Sequence, residues 1–430
     1  MAGNLIQTVY NLTDTFFLGK LGTEYVSAPA ISFPVLMFLI VFGMGIAMAG
    51  TTLIAQSKGK QDQKKIDFYL GQMTSFMIIV GVFLSVIGLV LSGPLLRLLH
   101  TPDVVFPHAA GYMRIIFAGI PFMFGFFIMQ AAMQGIGKTM VPLVVQTASV
   151  FINIPLDALL IFGWGPVPGL AVEGAAIATV ISRALASLAA FIILIQGKYG
   201  MVLTAGNLLP KKNALKLFIK IGLPASVGQG LSSLGFAVLQ GVVNLFGTPV
   251  IAAFGVGNRL LSVFNMPSMG VGRAVTALVG ERLGAGDRDG AMRTVRVGIA
   301  TVFSILVPGM LFMFFFGGDV IKFFVDDPEA IRWGAILFQI VAPSVVLFGG
   351  FMILTGAFQG AGDSKPVMYL NIARLWGVRV PLAYVLALGA SLGPIGIWIA
   401  MFISNFTASV AGFIYYKKEI WMEALGSDEV

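Results

Sequence analysis

Apolar runs of twenty or more residues follow one another along almost the whole chain, separated only by short charged or Gly- and Pro-rich breaks. That pattern constrains the fold more than any motif. A hydrocarbon layer about 30 Å thick offers backbone groups no hydrogen-bond partner, so only helices of roughly 20 residues or closed barrels can cross it. Barrel strands would appear as short segments of alternating polarity, whereas these runs are continuous. Charged residues make up 11% of the chain and mean hydropathy is +0.93, while soluble proteins carry about a quarter charged residues. The chain reads as an all-α polytopic membrane protein.

The apolar runs predict twelve transmembrane helices, near 1–19, 28–56, 67–92, 106–133, 139–163 and 170–196, then 214–246, 249–281, 290–316, 331–358, 364–390 and 394–416. Lys20, Arg97, Arg114, Lys322 and Arg332 fall in the first, third and fifth connections of each half, while most of the 27 Lys and Arg fall in the others. Basic connections stay in the cytoplasm, which predicts both termini there and residence in the inner (plasma) membrane. A net charge of +8 distributed over short connections orients a membrane protein, and no nucleic-acid partner is expected. Absent cysteines remove disulfides and thiolate metal sites.

The two halves repeat. Gly22-Thr23 pairs with Gly247-Thr248, Asp62 with Asp287, and Gln134-Gly135-Ile136-Gly137 with Gln359-Gly360-Ala361-Gly362, all at a spacing of 225 residues. Near the end the spacing shortens to 222, pairing Gly174 with Gly396 and Ile181-Ser182 with Ile403-Ser404. Six helices per repeat leave both halves in the same orientation, so two six-helix lobes related by a pseudo-two-fold along the membrane normal are predicted. The expected boundaries are 1–196 for the first lobe, 197–213 for a polar cytoplasmic linker and 214–430 for the second lobe. The same register places the counterpart of Pro224 upstream of Met1, so the first helix is expected to be truncated.

Two carboxylates interrupt the apolar runs of the first half. Asp14 and Asp157 align with Leu239 and Leu382 in the second, so their role belongs to one lobe and not to the shared scaffold. An ionised carboxylate in hydrocarbon costs about 2.5 to 3.5 kcal/mol on insertion scales, and such residues generally face a cavity and mark ion pathways. Each acid stands five or six residues before the outer end of its helix, Gly19 or Gly163, or roughly 8 to 9 Å inside it. Both therefore fit one chamber. Tyr10 and Asn11 precede Asp14, and Asn153 precedes Asp157, at intervals that place them on the acids' own faces. Pro155 frees a carbonyl one turn earlier that can serve a cation. Oxygen ligands from Asp14, Asn153 and Asp157 suit Na⁺ or a proton, and no transition metal or resident cofactor is expected. Arg374 and Arg379 occupy the helix equivalent to that of Asp157.

The segment Tyr10-Asn11-Leu12-Thr13-Asp14-Thr15, the following Gly19-Lys20-Leu21-Gly22, the segment Asn153-Ile154-Pro155-Leu156-Asp157 and the Gln-Gly-x-Gly pair resemble the multidrug and toxic compound extrusion (MATE) family along essentially the whole chain. The resemblance implies a two-lobe antiporter that expels cationic amphiphilic compounds in exchange for H⁺ or Na⁺. Within the family the chain is more similar to the DinF-like branch, whose coupling residues match Asp14, Asn153 and Asp157, with Tyr10 nearby and Thr179 as the hydroxyl of the sixth helix. The NorM-like branch expects an acid on helix 7, where this chain has Gln229 and Ser232.

Burial disfavours an ionised carboxylate, so a proton and a bound cation compete for the same acids. The expected function is multidrug efflux by antiport, with organic cations and membrane lipid as partners, a monomer as the functional unit and no enzymatic activity. The alternative is a lipid-linked oligosaccharide flippase of the same superfamily, which would need Arg259, Arg374 and Arg379 to converge on one cationic cavity. An intramembrane enzyme is disfavoured because the chain lacks an H-E-x-x-H, a Gly-x-Ser-x-Gly elbow and any histidine inside an apolar run.

Overall fold

The computed structural model describes residue 13 and residues 16–99, 101–164 and 168–425. Of the helix predicted over 1–19, the described residues 13 and 16–19 are helical. Eleven helices follow: α1 (Thr23–Gly59), α2 (Gln63–Leu98), α3 (Phe106–Gly135), α4 (Met140–Phe162), α5 (Ala171–Gln196), α6 (Lys212–Asn244), α7 (Thr248–Gly284), α8 (Arg288–Lys322), α9 (Pro328–Gly360), α10 (Ser364–Gly389) and α11 (Pro394–Lys417). Each matches a predicted apolar run. Several ends, as in α1, α2 and α7, extend beyond those runs because polar residues such as Lys58, Gln63 and Arg282 continue the backbone ladder past the apolar stretch. Arg114 and Arg332, counted with the connections although inside the predicted runs 106–133 and 331–358, lie within α3 and α9, and the Arg114 Nε donates to Ser92 Oγ at 3.4 Å.

Ten helical segments among the described residues are long and apolar enough to cross a membrane. The remaining long helix, α7, is 37 residues long but carries Asn258, Arg259, Asn265 and Arg273 in its interior. Large apolar side chains stand exposed along the outer faces, as with Val297, Ile305, Leu311, Phe312, Phe315 and Phe316 on α8. In water such a stripe would drive aggregation, whereas against lipid tails it costs nothing. The protein is a multi-pass membrane protein.

The chain divides into two compact units, residues 1–58 with 62–226 and residues 59–61 with 227–430. Each is built around its own fourth predicted span. In the first unit α3 packs against α2 and α5, and in the second α9 packs against α8 and α11, which are the corresponding pairs in the repeat. Small details repeat too. Asp62 accepts the Lys65 N–H at 3.1 Å and caps α2, while Asp287 accepts the Gly290 N–H at 2.8 Å and caps α8. Thr51 and Thr276 both return their hydroxyls to the carbonyl one turn earlier, at 3.1 and 3.0 Å.

The Gln-Gly-x-Gly segments close turns. Gly137 and Gly362 sit at φ 81° and 85°, a left-handed conformation that glycine adopts without strain. The preceding glycines serve close packing. A Cβ on Gly360 would lie 2.4 Å from the Thr276 carbonyl, and one on Gly135 would lie 3.0 Å from the Thr51 carbonyl.

The polar segment after α5 is strapped onto α2. Gln72 donates to the carbonyls of Asn207 and Leu209 at 2.8 Å each and accepts the Lys211 N–H at 2.7 Å. Gln63 donates to Gly200 at 2.8 Å, Asp67 accepts the Val202 N–H at 2.8 Å, and Ser75 donates to Leu208. The first unit continues into α6, where Gly222 packs against the backbone of Gly45 on α1.

Candidate ion-coupling site

Helix α4 buries one narrow face. Its buried residues are Pro142, Gln146, Ser149, Val150, Asn153, Asp157 and Ile161, and the three- and four-residue intervals among them are those of a single helical stripe. Four of the seven are polar. Asn153 and Asp157 are both fully buried, at 0% exposure, while Phe151 on the opposite side is 71% exposed. The helix thus turns its amide and carboxylate inward and its phenyl ring outward, an orientation that lipid on one side and protein on the other enforces.

Helix α5 forms the wall opposite. Ser149 Oγ donates to the Ser182 carbonyl at 3.0 Å. Further along, Gly174 lies so close to the Leu160 carbonyl that a Cβ there would come within 2.2 Å of it. These two contacts set an antiparallel register between α4 and α5, and interpolation between them puts Thr179 level with Asn153 and Ala176 level with Asp157. Thr179 is partly buried. The small residues Gly174, Ala175, Ala176 and Ala178 are all buried on this stretch of α5, so the backbones approach closely beside the acid.

Neither Nδ2 nor Oδ1 of Asn153 makes a hydrogen bond with any described residue, although both atoms are buried. Among the described residues its donor and acceptor capacity is therefore unused. Pro155 is accommodated within α4 between Asn153 and Asp157. The structure therefore brings Asn153 and Asp157 together on one inward face, with Thr179 at their level on the neighbouring helix. Asp14, Tyr10 and Asn11 lie outside the described residues. Next to them in sequence, Phe17 packs edge-on against Phe162 at the end of α4, with ring centroids 5.8 Å apart.

Gln146 and Ser149 are members of this polar seam that attention to the carboxylates alone passes over. Their signal is in the sequence, because they precede Asn153 by seven and four residues on the same helical face. Ser182 carries no such signal, since it meets α4 only through its backbone carbonyl. Among the described residues no cluster of three or more His, Cys, Asp or Glu could hold a metal ion, so the oxygens that these residues offer a cation on the seam are, besides Asp157, those of amides, hydroxyls and carbonyls.

The three arginines differ in burial. Arg259 is exposed on α7, whereas Arg374 and Arg379 are buried on α10.

Comparison with known proteins bears on the whole chain. The MatE family model matches residues 1–159 and 224–385, one segment in each half of the repeat. The chain is 30% identical over 425 residues to the probable multidrug resistance protein YoeA of Bacillus subtilis (strain 168), which spans 98% of this chain and 92% of that protein. It is 29% identical over 422 residues to the probable multidrug resistance protein YpnP of the same organism, spanning 98% and 93%. A crystal structure of MATE in the bent conformation superposes with a TM-score of 0.92 at 24% identity, over 100% of this chain and 94% of the other, which speaks for a shared fold. The flippase alternative gains no support from these relatives.

Proposed function

Because the chain belongs to the MatE family, a family of transporters, we propose that it is a secondary active multidrug antiporter that exports cationic amphiphilic compounds in exchange for H⁺ or Na⁺. The observation that carries this reading is the complete burial of Asp157 beside Asn153 on the inward face of α4, in a repeat whose second copy has Leu382 at the aligned position. An acid retained in one unit and not the other is a functional addition to the scaffold.

Asp157 carries or neutralises the exchanged charge. A proton or Na⁺ on the carboxylate removes its attraction for an organic cation, and an organic cation displaces the coupling ion in turn. Asn153 supplies an amide oxygen to Na⁺ or an amide donor to the carboxylate, and Thr179 supplies a hydroxyl from α5. Asp14, with Tyr10 and Asn11, completes the acidic side of the site in the DinF-like pattern. Coupling follows when the occupant biases which side of the protein is open. The excess of Lys and Arg in alternate connections supports residence in the inner (plasma) membrane with both termini cytoplasmic, and the functional unit is a monomer.

The test is efflux of ethidium from proteoliposomes under separately imposed H⁺ and Na⁺ gradients. Efflux driven by one gradient in the wild type and lost in Asp157→Asn supports antiport through this acid. Efflux that ignores both gradients, or that Asp157→Asn leaves unchanged, sinks it.

A further inference from the structure

Helix α10 departs from α-helical geometry twice, in π-helical turns over Ala373–Arg379 and Val385–Gly389. Pro381 gives a local reason. Lacking an N–H, it cannot donate to the carbonyl four residues earlier, and the ladder shifts register just before it. The shift has a consequence for two charges. In an α-helix residues five apart diverge by about 140° around the axis, whereas a ring closed to the fifth residue brings them near one face. Arg374 and Arg379 are five apart and reach the same acceptor.

That acceptor is neutral. Arg379 Nη2 donates to Asn405 Oδ1 at 2.5 Å and Arg374 Nη1 to the same oxygen at 3.4 Å, while Arg379 Nε donates to Ser404 Oγ at 2.8 Å. Asn405 Nδ2 donates onward to Ser344 Oγ at 3.1 Å, and Ser344 donates to the Val341 carbonyl at 2.8 Å. The Arg374 guanidinium lies 4.6 Å over the Phe348 ring. Arg374 and Arg379 are 5% and 2% exposed, and no carboxylate among the described residues bonds either of them. Arg374 Nε is buried and donates to nothing described.

Two like charges are thus removed from water and directed at one amide oxygen, with no counterion among the described residues. Desolvating even one such ion costs several kcal/mol, and mutual repulsion adds to it. Neutral acceptors satisfy some of the N–H groups but cancel none of the charge. The unused Nε edge of Arg374 is part of the fork with which guanidinium grips a carboxylate or phosphate.

The repeat gives the position its meaning. Superposing the two helices on their prolines, Pro155 and Pro381, sets Arg379 where Asn153 stands, two residues before the proline. Ser404, which receives Arg379, is the repeat counterpart of Ser182, which receives Ser149. In that superposition one scaffold position carries the amide of Asn153 in the first unit and the guanidinium of Arg379 in the second.

We propose that the second unit contains an oxyanion-binding site in which Arg374 and Arg379, held by Asn405 and Ser404 and backed by Phe348, take the phosphate or carboxylate group of a small anion or of a lipid headgroup. The site is closed in the conformation seen, and the ligand enters with the opening that transport requires. Phosphate chemistry is common to a soluble anion and an anionic lipid, and the two sources separate experimentally.

The test uses the purified full-length protein in lipid nanodiscs, with melting temperature read at constant ionic strength. One arm titrates inorganic phosphate into phosphatidylcholine discs, and the other compares phosphatidylcholine with phosphatidylglycerol discs. In the wild type at least one arm should raise the melting temperature by about 2 to 4 °C, the shift that a near-saturating ligand produces. Arg374→Gln should lose that shift and Asp157→Asn should keep it, which separates this site from the coupling site of the first unit. A response to free phosphate identifies a soluble anion, and a response to phosphatidylglycerol alone identifies a headgroup. Should Arg374→Gln fail to fold, Arg374→Lys keeps the charge but not the fork and should weaken phosphate binding about tenfold or more, read by native mass spectrometry. No response in either arm, or a shift that survives both Arg374 variants, overturns the proposal.

Discussion

Ser149 on α4 donates its hydroxyl to the carbonyl of Ser182 on α5 at 3.0 Å, one helical turn before Asn153 on the same buried face. The bond ties a side chain to a neighbouring backbone and so fixes the rotation of α4 about its axis. Asn153 and Asp157, four and eight residues further on, inherit that rotation and point inward.

The acids of the first unit should separate insertion from transport. Asp157→Asn and Asp14→Asn each keep the side-chain shape but cannot exchange a proton, and the amide binds a cation far less strongly than a carboxylate does. Each should abolish gradient-driven efflux in proteoliposomes while membrane yield and melting temperature stay close to wild type. Wild-type efflux in either variant at matched protein would assign that acid a structural role.

Two glycines of the second unit should respond oppositely to the same change. A Cβ on Gly360 would meet the Thr276 carbonyl at 2.4 Å, a backbone atom that cannot swing aside, whereas Gly241 has open space around its Cβ position. Gly360→Ala should cost about 1 to 3 kcal/mol through overpacking. Gly241→Ala should stabilise by about 0.5 to 1 kcal/mol, because alanine has fewer unfolded conformations to lose. Melting temperatures of the two variants on opposite sides of wild type are the expected result, and a stabilised Gly360→Ala would contradict the close helix contact.

The capping aspartate of α8 should make a pH-dependent contribution. The Gly290 N–H foremost holds the Asp287 carboxyl below its ordinary range; desolvation opposes it, and the hydrogen bond and charge of Arg282 add to the lowering. A depressed carboxyl contributes stability above its unfolded range, and that contribution is lost as pH falls through the folded value. Asp287→Asn keeps a capping oxygen without the charge. Its melting-temperature deficit against wild type should be largest near neutrality and should vanish on acidification. A deficit that grows with acid would reverse the sign and refute the argument.

The strap over α2 should loosen when Gln72 is shortened. Gln72→Ala removes two donated bonds and one accepted bond at once, leaving the Lys211 N–H and the Asn207 and Leu209 carbonyls without their partner. Hydrogen exchange over residues 200–211 should accelerate by about tenfold or more, with α4 and α9 unchanged. Unchanged exchange in the strap would mean that the Gln63, Asp67 and Ser75 contacts suffice without it.

Much of the architecture follows from local pattern. Lipid requires every spanning backbone group to be satisfied within its own helix, so long apolar runs are helices whatever their neighbours, and α1 to α11 appear where those runs stand. Gly137 and Gly362 recur at one place in each repeat because glycine enters the left-handed region there without strain, and Asn153 and Asp157 share a face because four residues nearly complete a helical turn. What the pattern could not supply is the identity of partners across helices. Ser182 meets Ser149 through a carbonyl that every residue possesses, and the strap uses the carbonyls of Gly200, Asn207 and Leu209. Arg374 and Arg379 depended most on tertiary structure. Their spacing of five predicts divergence on an α-helix, and only the π-helical turn before Pro381, together with Asn405 and Ser404 on α11, directs both charges to one place. Helix existence is a property of a segment and its solvent, whereas the convergence of two side chains depends on backbone register and on a second helix far away in sequence.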